Sequence, residues 1–507
     1  MRNCVSFQSF RCHLYTFILC LFLLPLAHAQ TPTPAGTPGA ANSATNSAAT
    51  NRTSAPASTV LPPIQSRPLQ RLQSLFGLAI FTLITFAIGQ TRRPRLRVAW
   101  HTVGWGIVLQ FAFAILVLHT PMGRWFFEEV NNGVVALLGF AEKGASFVFG
   151  NLVKNNVPVG TAAGDDKLMG PLGASPNYAN TGAFFAFNVL PTIIFFSSLS
   201  TLLYHSGIMQ YVVGSLAWIM QRSMRTSGAE TLSAAANIFL GQTEAPLLVK
   251  PFIANATRSE LMAIMVGGFA NIASGVLAAY VGMLKGFVPD IAGHLLAASI
   301  ISAPCSLVIA KLLLPEAEQA ETAGGVEFHI ERTDANAVDA AARGALEGMH
   351  LSLNVGAMLI AFIALVALLN SLIGALGAAL GYPNLSFELL LGYVMAPFAW
   401  LMGVSWHDAL PIGSLLGVKT VLNEFVAYLN LSTMLGQHRG VLETRSVIIT
   451  AYALCGFANF SSVAIQIGGI SGMAPERRGD LSRLGLIAML GGTLSSFMTA
   501  CVVGVLL

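Results

Sequence analysis

The chain has 507 residues, of which 54% are apolar and only 10% charged, with a formal net charge of +4. Soluble domains carry roughly 25% charged residues, so this composition, with a mean hydropathy of +0.67, excludes a soluble globular protein and places most of the chain in lipid. The small net charge and the lack of a dense basic stripe exclude a nucleic-acid binder.

Residues 1–29 read as a secretory signal, with Arg2 and Arg11, an apolar core from Tyr15 to Leu26, and Ala27-His28-Ala29 before Gln30. Residues 30–68 are mostly Thr, Pro, Ala, Ser and Asn and cannot repay the entropy of ordering, so a disordered external tail is predicted. Of the six cysteines, Cys4, Cys12 and Cys20 fall in the leader, and Cys305, Cys455 and Cys501 lie far apart in apolar segments. That spacing makes neither a disulfide framework nor a metal site.

Scaffold helices are expected over 69–230. The first span, 72–88, ends in Thr91-Arg92-Arg93-Pro94-Arg95-Leu96-Arg97, whose four arginines mark the cytoplasmic side. A second span covers 98–118. The segment 134–153, amphipathic with Glu142 and Lys143 in its middle, is predicted to lie along the interface. A polar loop, 160–180, precedes a third span at 183–204.

A first hairpin repeat is expected over 231–315. Within it, Gly241-Gln242-Thr243-Glu244-Ala245-Pro246 interrupts a strongly apolar stretch. Too short and too broken to cross twice, this segment reads as a re-entrant hairpin with its polar groups turned inward. Spans at 261–287 and 291–314 follow, then a charged cytoplasmic loop over 316–345. A connecting scaffold helix is expected over 346–386. The second repeat, 387–507, pairs 387–406 with 411–431 across a break at His407-Asp408-Ala409-Leu410-Pro411, followed by spans at 447–469 and 484–507. The expected fold is all-α and polytopic: about eight transmembrane helices plus two opposed re-entrant hairpins.

Gly268-Phe269-Ala270-Asn271-Ile272-Ala273-Ser274 recurs 188 residues later as Gly456-Phe457-Ala458-Asn459-Phe460-Ser461-Ser462. Each copy follows a hairpin with an acid, Glu244 or Glu424, and the predicted topology inverts one relative to the other. Inverted repeats with broken helices meeting near the midplane are the architecture of secondary transporters. A charge at mid-membrane costs about 2.5–3.5 kcal/mol on insertion scales, so both acids need a compensating role. Two readings are open: ion pairs with Lys250 and Lys419 that lock helices, or acceptors for a solute rich in hydroxyl or N–H groups. Asn271 and Asn459, among Gly, Ala and Ser, suit an unwound backbone that coordinates a hard cation or hydrogen-bonds a ligand; interhelical amide contacts are the alternative. No Walker A run, zinc-type histidine pair or Gly-x-Ser-x-Gly elbow is present, which argues against a primary pump and an enzyme.

At these residues the sequence resembles the concentrative nucleoside transporter family from about residue 70 onward. The resemblance runs through Phe184-Phe185-Ala186-Phe187-Asn188-Val189-Leu190-Pro191-Thr192, the run from Gly241 to Pro251, Gly417-Val418-Lys419-Thr420, Asn423-Glu424-Phe425 and Ala453-Leu454-Cys455-Gly456-Phe457-Ala458-Asn459. It implies a homotrimer in the inner (cytoplasmic) membrane, taking up nucleosides with sodium by an elevator movement and needing no resident cofactor; the count of spans puts both ends external. Proton coupling is the alternative within the family, and a nucleoside-binding receptor or channel is the alternative from another class. By resemblance, Gln242, Thr243 and Glu244 meet the nucleobase with Val276 beside it, and Glu424, Asn459 and Ser462 hold the ribose while Phe457 packs near the base. Sodium falls to the side chains of Asn237 and Asn271 with the carbonyls of Val266 and Ile272. Asn271 stands where the family pattern has Ser or Thr. Gly241, without a side chain, leaves room for a larger base, so adenosine is expected as a substrate beside uridine.

Overall fold

The computed structural model of the protein describes residues 60–64, 67–92, 97–154, 156–158, 178–180, 185–323, 334–382, 384–437 and 442–507. The expected leader, nearly all of the tail, most of the 160–180 loop, and Arg93 and Arg95 lie outside them.

Among the described residues one antiparallel strand pair occurs, Asn156–Pro158 with Tyr178–Asn180, and the other regular structure is helical. The first helices are α1 (Pro68–Arg92), α2 (Trp100–His119) and α3 (Pro121–Phe149). The segment expected along the interface is the second half of α3, whose 29 residues reach about 43 Å and are apolar enough to cross. Glu128, Glu129, Asn131 and Asn132 interrupt the apolar run before Val134. The helix nevertheless starts earlier, because Thr120 Oγ1 caps it by accepting from Gly123 N (2.9 Å) and Pro121 stands in its first turn.

After α4 (Leu190–His205) and α5 (Ile208–Met224), the first hairpin is α6 (Gly228–Ala236), a tip at 237–244, a 3-10 turn (Ala245–Val249) and the short α7 (Lys250–Ile253). Then come α8 (Arg258–Ala270), a break, α9 (Ser274–Leu284) and α10 (Ile291–Leu313). The long α11 (Ala337–Ala379), capped by Asn336, begins inside the segment expected as a loop. The second unit has α12 (Phe387–Leu401), α13 (Trp406–Val421), α14 (Glu424–Gln437), α15 (Thr444–Leu454), a break, α16 (Phe460–Met473) and α17 (Arg478–Leu506). The element order of the first unit thus repeats in the second.

The break of the second hairpin does not fall at 407–411. Those residues lie in the opening turns of α13, and Pro411 is inside the helix. A proline there forfeits one backbone bond without ending the helix. The chain bends by 119° one step earlier, between α12 and α13, where Gly403 takes a left-handed φ of 98° that residues with a Cβ rarely adopt. The hairpin itself turns at Leu422 and Asn423, immediately before Glu424. The expected span at 447–469 is likewise two short helices, α15 and α16, neither long enough to cross alone. Among the described residues eight helices can cross, the number expected, with α3 in place of that span.

Helix α17 serves as a ruler for orientation. Arg258, opening α8, pairs with Asp480 in the first turn of α17 (2.8 Å). Arg445, in the first turn of α15, donates to Gly504 O in the last turn of α17 (2.6 Å). The two repeat-related helices therefore start from opposite ends of α17, and the repeat is inverted. The hairpins close at opposite faces as well. Thr322 joins the starts of α6 and α8 through Gly228 N, Ala229 N and Glu260. Asp408 on α13 accepts from Glu443 N at the start of α15 (3.0 Å). Arg71 at the start of α1 reaches Leu507 O (2.8 Å), so the start of the helical body and the last residue share a face.

Burial separates two populations of helices. The apolar windows of α8–α9 and α10 are 89% buried and that of α17 83%, against 17% for α3 and 6% for α11. The broken helix α8–α9 is thus enclosed by protein, where unpaired backbone at membrane depth is tolerated.

A candidate solute site between the hairpin tips

Each hairpin tip docks on the broken helix of the other repeat. Gln242 Nε2, at the first tip, donates to Ser462 Oγ on α16 (3.3 Å). Thr243 packs on the same face of α16, its methyl lying where a side chain on Gly469 would stand. From the second tip, the Glu424 carboxylate accepts from Tyr280 OH on α9 (3.1 Å) and from Asn459 Nδ2 (3.0 Å). Asn459 Oδ1 in turn caps α16 by accepting from Ser462 N (2.9 Å). Five of the expected residues, Gln242, Thr243, Glu424, Asn459 and Ser462, are therefore joined in one chain of contacts across both repeats.

The breaks themselves touch, with Phe457 N donating to Asn271 O (3.3 Å). The Phe457 ring is half-buried. Val276 is buried one turn before Tyr280 on α9. Three carbonyls freed at the breaks are satisfied: Ala270 O by Ser302 (3.1 Å), Ala453 O by Lys419 Nζ (2.8 Å), and Cys455 O by Ser496 (3.3 Å). Lys419 is fully buried on this duty and also reaches Ser496 Oγ. Among the described residues no ion pair joins Glu424 to Lys419 or Glu244 to Lys250. The locking reading of the two acids is thereby set aside.

Glu244 turns its carboxylate back onto Gly241 N, and the side chain is otherwise exposed. The space above Gly241, expected to be open for a larger base, holds this carboxylate. A tight tip brings the side chain at i+3 over the amide at i.

Asn237 ends α6 and is buried against Gly267 of α8; Asn271 ends α8 in an extended conformation (φ −122°, ψ 168°). Both side chains are buried with neither amide oxygen nor nitrogen partnered. Val266 and Ile272 are fully buried, Ile272 next to Asn271 and Val266 earlier on α8. Buried amides are normally satisfied, and carboxamide and carbonyl oxygens at an interrupted helix are the donor set a hard cation takes.

Two residues at the site escaped the reading of the sequence. Tyr280, which holds Glu424, lies four residues after Val276 and so on the same face of α9. Gln466, four residues after Ser462, donates through Nε2 to Met265 O of α8 (3.1 Å). The helical period of the residues already named was the available signal.

Three family models match the chain: Na+ dependent nucleoside transporter N-terminus at 76–152, nucleoside recognition at 186–287, and Na+ dependent nucleoside transporter C-terminus at 294–504. The uncharacterized transporter YutK of Bacillus subtilis is 41% identical over 435 residues, covering 85% of this chain and 98% of YutK. The chain belongs to the sodium-dependent nucleoside transporter family. It is similar also to the sodium/nucleoside cotransporter 1 of Mus musculus, 39% identical over 449 residues and 86% of this chain. The chain spans 64% of the length of that relative. Among solved structures, CNTnw in an inward-facing substrate-bound state matches with a TM-score of 0.75 at 39% identity, over 86% of this chain and 97% of that one. A CNTnw variant in an outward-facing state matches with a TM-score of 0.77 at 39% identity, over 87% and 98%. In this family member the matched regions include both hairpin tips and both breaks.

Proposed function

We propose that the protein imports nucleosides by symport with sodium, through alternating access of the site between the hairpin tips. The observation that carries the reading is the buried Glu424–Asn459–Ser462–Gln242 chain. At one end lies a carboxylate able to accept from a ribose diol, and at the other the amide of Gln242, next to the Thr243 hydroxyl, suited to a base edge. Glu424, Asn459 and Ser462 hold the ribose. Gln242, Thr243 and Glu244 meet the base, with Val276 and Phe457 packing beside it. The hairpins close at opposite membrane faces, so release of one tip opens the site to one side only. The contrast between enclosed helices and the exposed α3 and α11 supports a moving inner body against an outer scaffold, as an elevator requires. It also supports assembly as a homotrimer.

Sodium is the coupling ion, taken as a substrate by Asn237 and Asn271 with the carbonyls of Val266 and Ile272. Neutral amides do not titrate, so two unpartnered asparagines favour a hard cation over a proton. The protein sits in the cytoplasmic membrane with both ends of its helical body external, a placement supported by the basic Thr91–Arg97 loop at the opposite end of α1. Uridine, and adenosine once Glu244 leaves Gly241, are the substrates to test.

The test is uptake of labelled uridine and adenosine into proteoliposomes. An imposed sodium gradient drives accumulation above equilibrium, and Asn271→Ala raises the half-saturating sodium concentration by about tenfold or more. Accumulation under a proton gradient alone would replace sodium by protons. Binding without accumulation under either gradient would reduce the protein to a receptor.

A further inference from the structure

We propose that Gln466 is a further base-recognising residue of this site, presenting a fixed hydrogen-bond acceptor that favours bases carrying an exocyclic amine; this rests on the nucleoside reading above. Gln466 is fully buried on α16, one turn beyond Ser462. Its Nε2 donates to Met265 O (3.1 Å), and a carbonyl can only accept. The amide orientation is therefore set: Oε1 is the end left over. That oxygen is buried with no partner, which leaves a desolvated acceptor with an unmet requirement.

The position of Gln466 ties it to the first hairpin tip. A Cβ built on Gly268 of α8 would run into Gln466 Nε2 and lie 3.1 Å from Gln242 Cβ, so both glutamines crowd the same bare stretch of backbone. Gly268 is what allows α8, α16 and the tip to meet there. Gln242 Oε1 is also buried and unpartnered. Its amide, however, faces the Ser462 hydroxyl, which can donate or accept, so Gln242 can present either end. The two glutamines thus differ: Gln242 adapts to the base edge, while Gln466 offers oxygen only. A base with an exocyclic amine meets that oxygen with a donor. A base without one leaves it unpaired, and a site that buries an acceptor discriminates against the ligand lacking the donor.

The experiment compares ligands differing only by the amine: cytidine against the riboside of 2-pyrimidinone, and adenosine against purine riboside. Their apparent affinities are read by competition with labelled uridine, and their own transport then separates KM from kcat. In the wild type the amine-bearing member of each pair binds about tenfold more tightly. In Gln466→Met, which keeps the volume and loses the acceptor, the ratio falls to about one, with KM and not kcat carrying the change. Gln466→Glu keeps acceptor oxygens but loses the donor to Met265 O; it retains the ratio while slowing transport of every ligand alike. A wild-type ratio near one, or a ratio unchanged in Gln466→Met, overturns the proposal and makes Gln466 a helix-to-helix contact alone. Should Gln466→Met fail to reach the membrane, loss of the ratio in Gln466→Glu overturns it and retention supports it. A wild type that takes up no nucleoside overturns the functional reading together with this inference, whereas normal uptake with unmoved ratios overturns only the inference.

Discussion

At the scale of residues, the two repeat-related asparagines do different work from equivalent positions. Asn459 spends its oxygen on capping α16 and its nitrogen on Glu424, whereas Asn271 ends α8 with its whole amide free. The difference follows from which side of the break each asparagine serves: one opens a helix and one closes a helix. Glu424 depends on this arrangement, since Tyr280 and Asn459 both present hydrogens to it. Glu424→Gln places an amide nitrogen opposite one of those donors and removes the charge. Uridine uptake by the variant is expected to fall by about tenfold to a hundredfold in kcat/KM, measured at saturating sodium. Uptake at the wild-type rate would remove Glu424 from the ribose end.

Among elements, the first hairpin is anchored by charge at its closed end. Lys311 near the end of α10 lies 2.7 Å from Glu230 and 3.3 Å from Glu316, and donates to Ser259 Oγ (2.9 Å). Glu230 also completes a capping box with Ser227 at the start of α6, and Thr257 and Glu260 repeat the device at α8. Removing one partner of a buried pair leaves an uncompensated charge and costs roughly 3–5 kcal/mol. Lys311→Met is therefore expected to lower the melting temperature of the detergent-solubilised protein clearly. The double variant Lys311→Met with Glu230→Gln should recover much of that loss. No recovery in the double variant would show that Lys311 acts through Glu316 or Ser259 instead.

For the molecule as a whole, access to the site requires a tip to leave the opposing broken helix. Thr243 Cβ lies 3.2 Å from the position of a Cβ on Gly469, near the separation a disulfide spans. In a background lacking Cys305, Cys455 and Cys501, the pair Thr243→Cys and Gly469→Cys should cross-link on oxidation. Transport should stop, and reductant should restore it to the level of the unoxidised protein. Undiminished uptake by the fully cross-linked protein would mean that the first tip need not move. Each single cysteine variant, oxidised in parallel, reports the cost of the substitution alone.

The sequence by itself determined the lipid-embedded helical class, the repeat and the polar groups that interrupt it. Those properties are written in local composition: few charges, long apolar runs, and acids and amides that lipid would otherwise expel. It singled out Gln242, Glu424 and Asn459 because each belongs to a short polar interruption of an apolar stretch, and Ser462 through the family resemblance alone. It missed Gln466 and Tyr280, whose positions are ordinary until two helices from different repeats are brought together. It also misplaced the break of the second hairpin. A proline in the second turn of a helix and a glycine at φ 98° look alike as punctuation, and only the packed chain distinguishes them. Tertiary structure alone decided that Lys419 serves a carbonyl and not Glu424, and that Glu244 folds onto Gly241. It alone left the amides of Asn237 and Asn271 without partners. Each of these is a choice among several available hydrogen-bond partners, and that choice is made by distance, which sequence order does not carry.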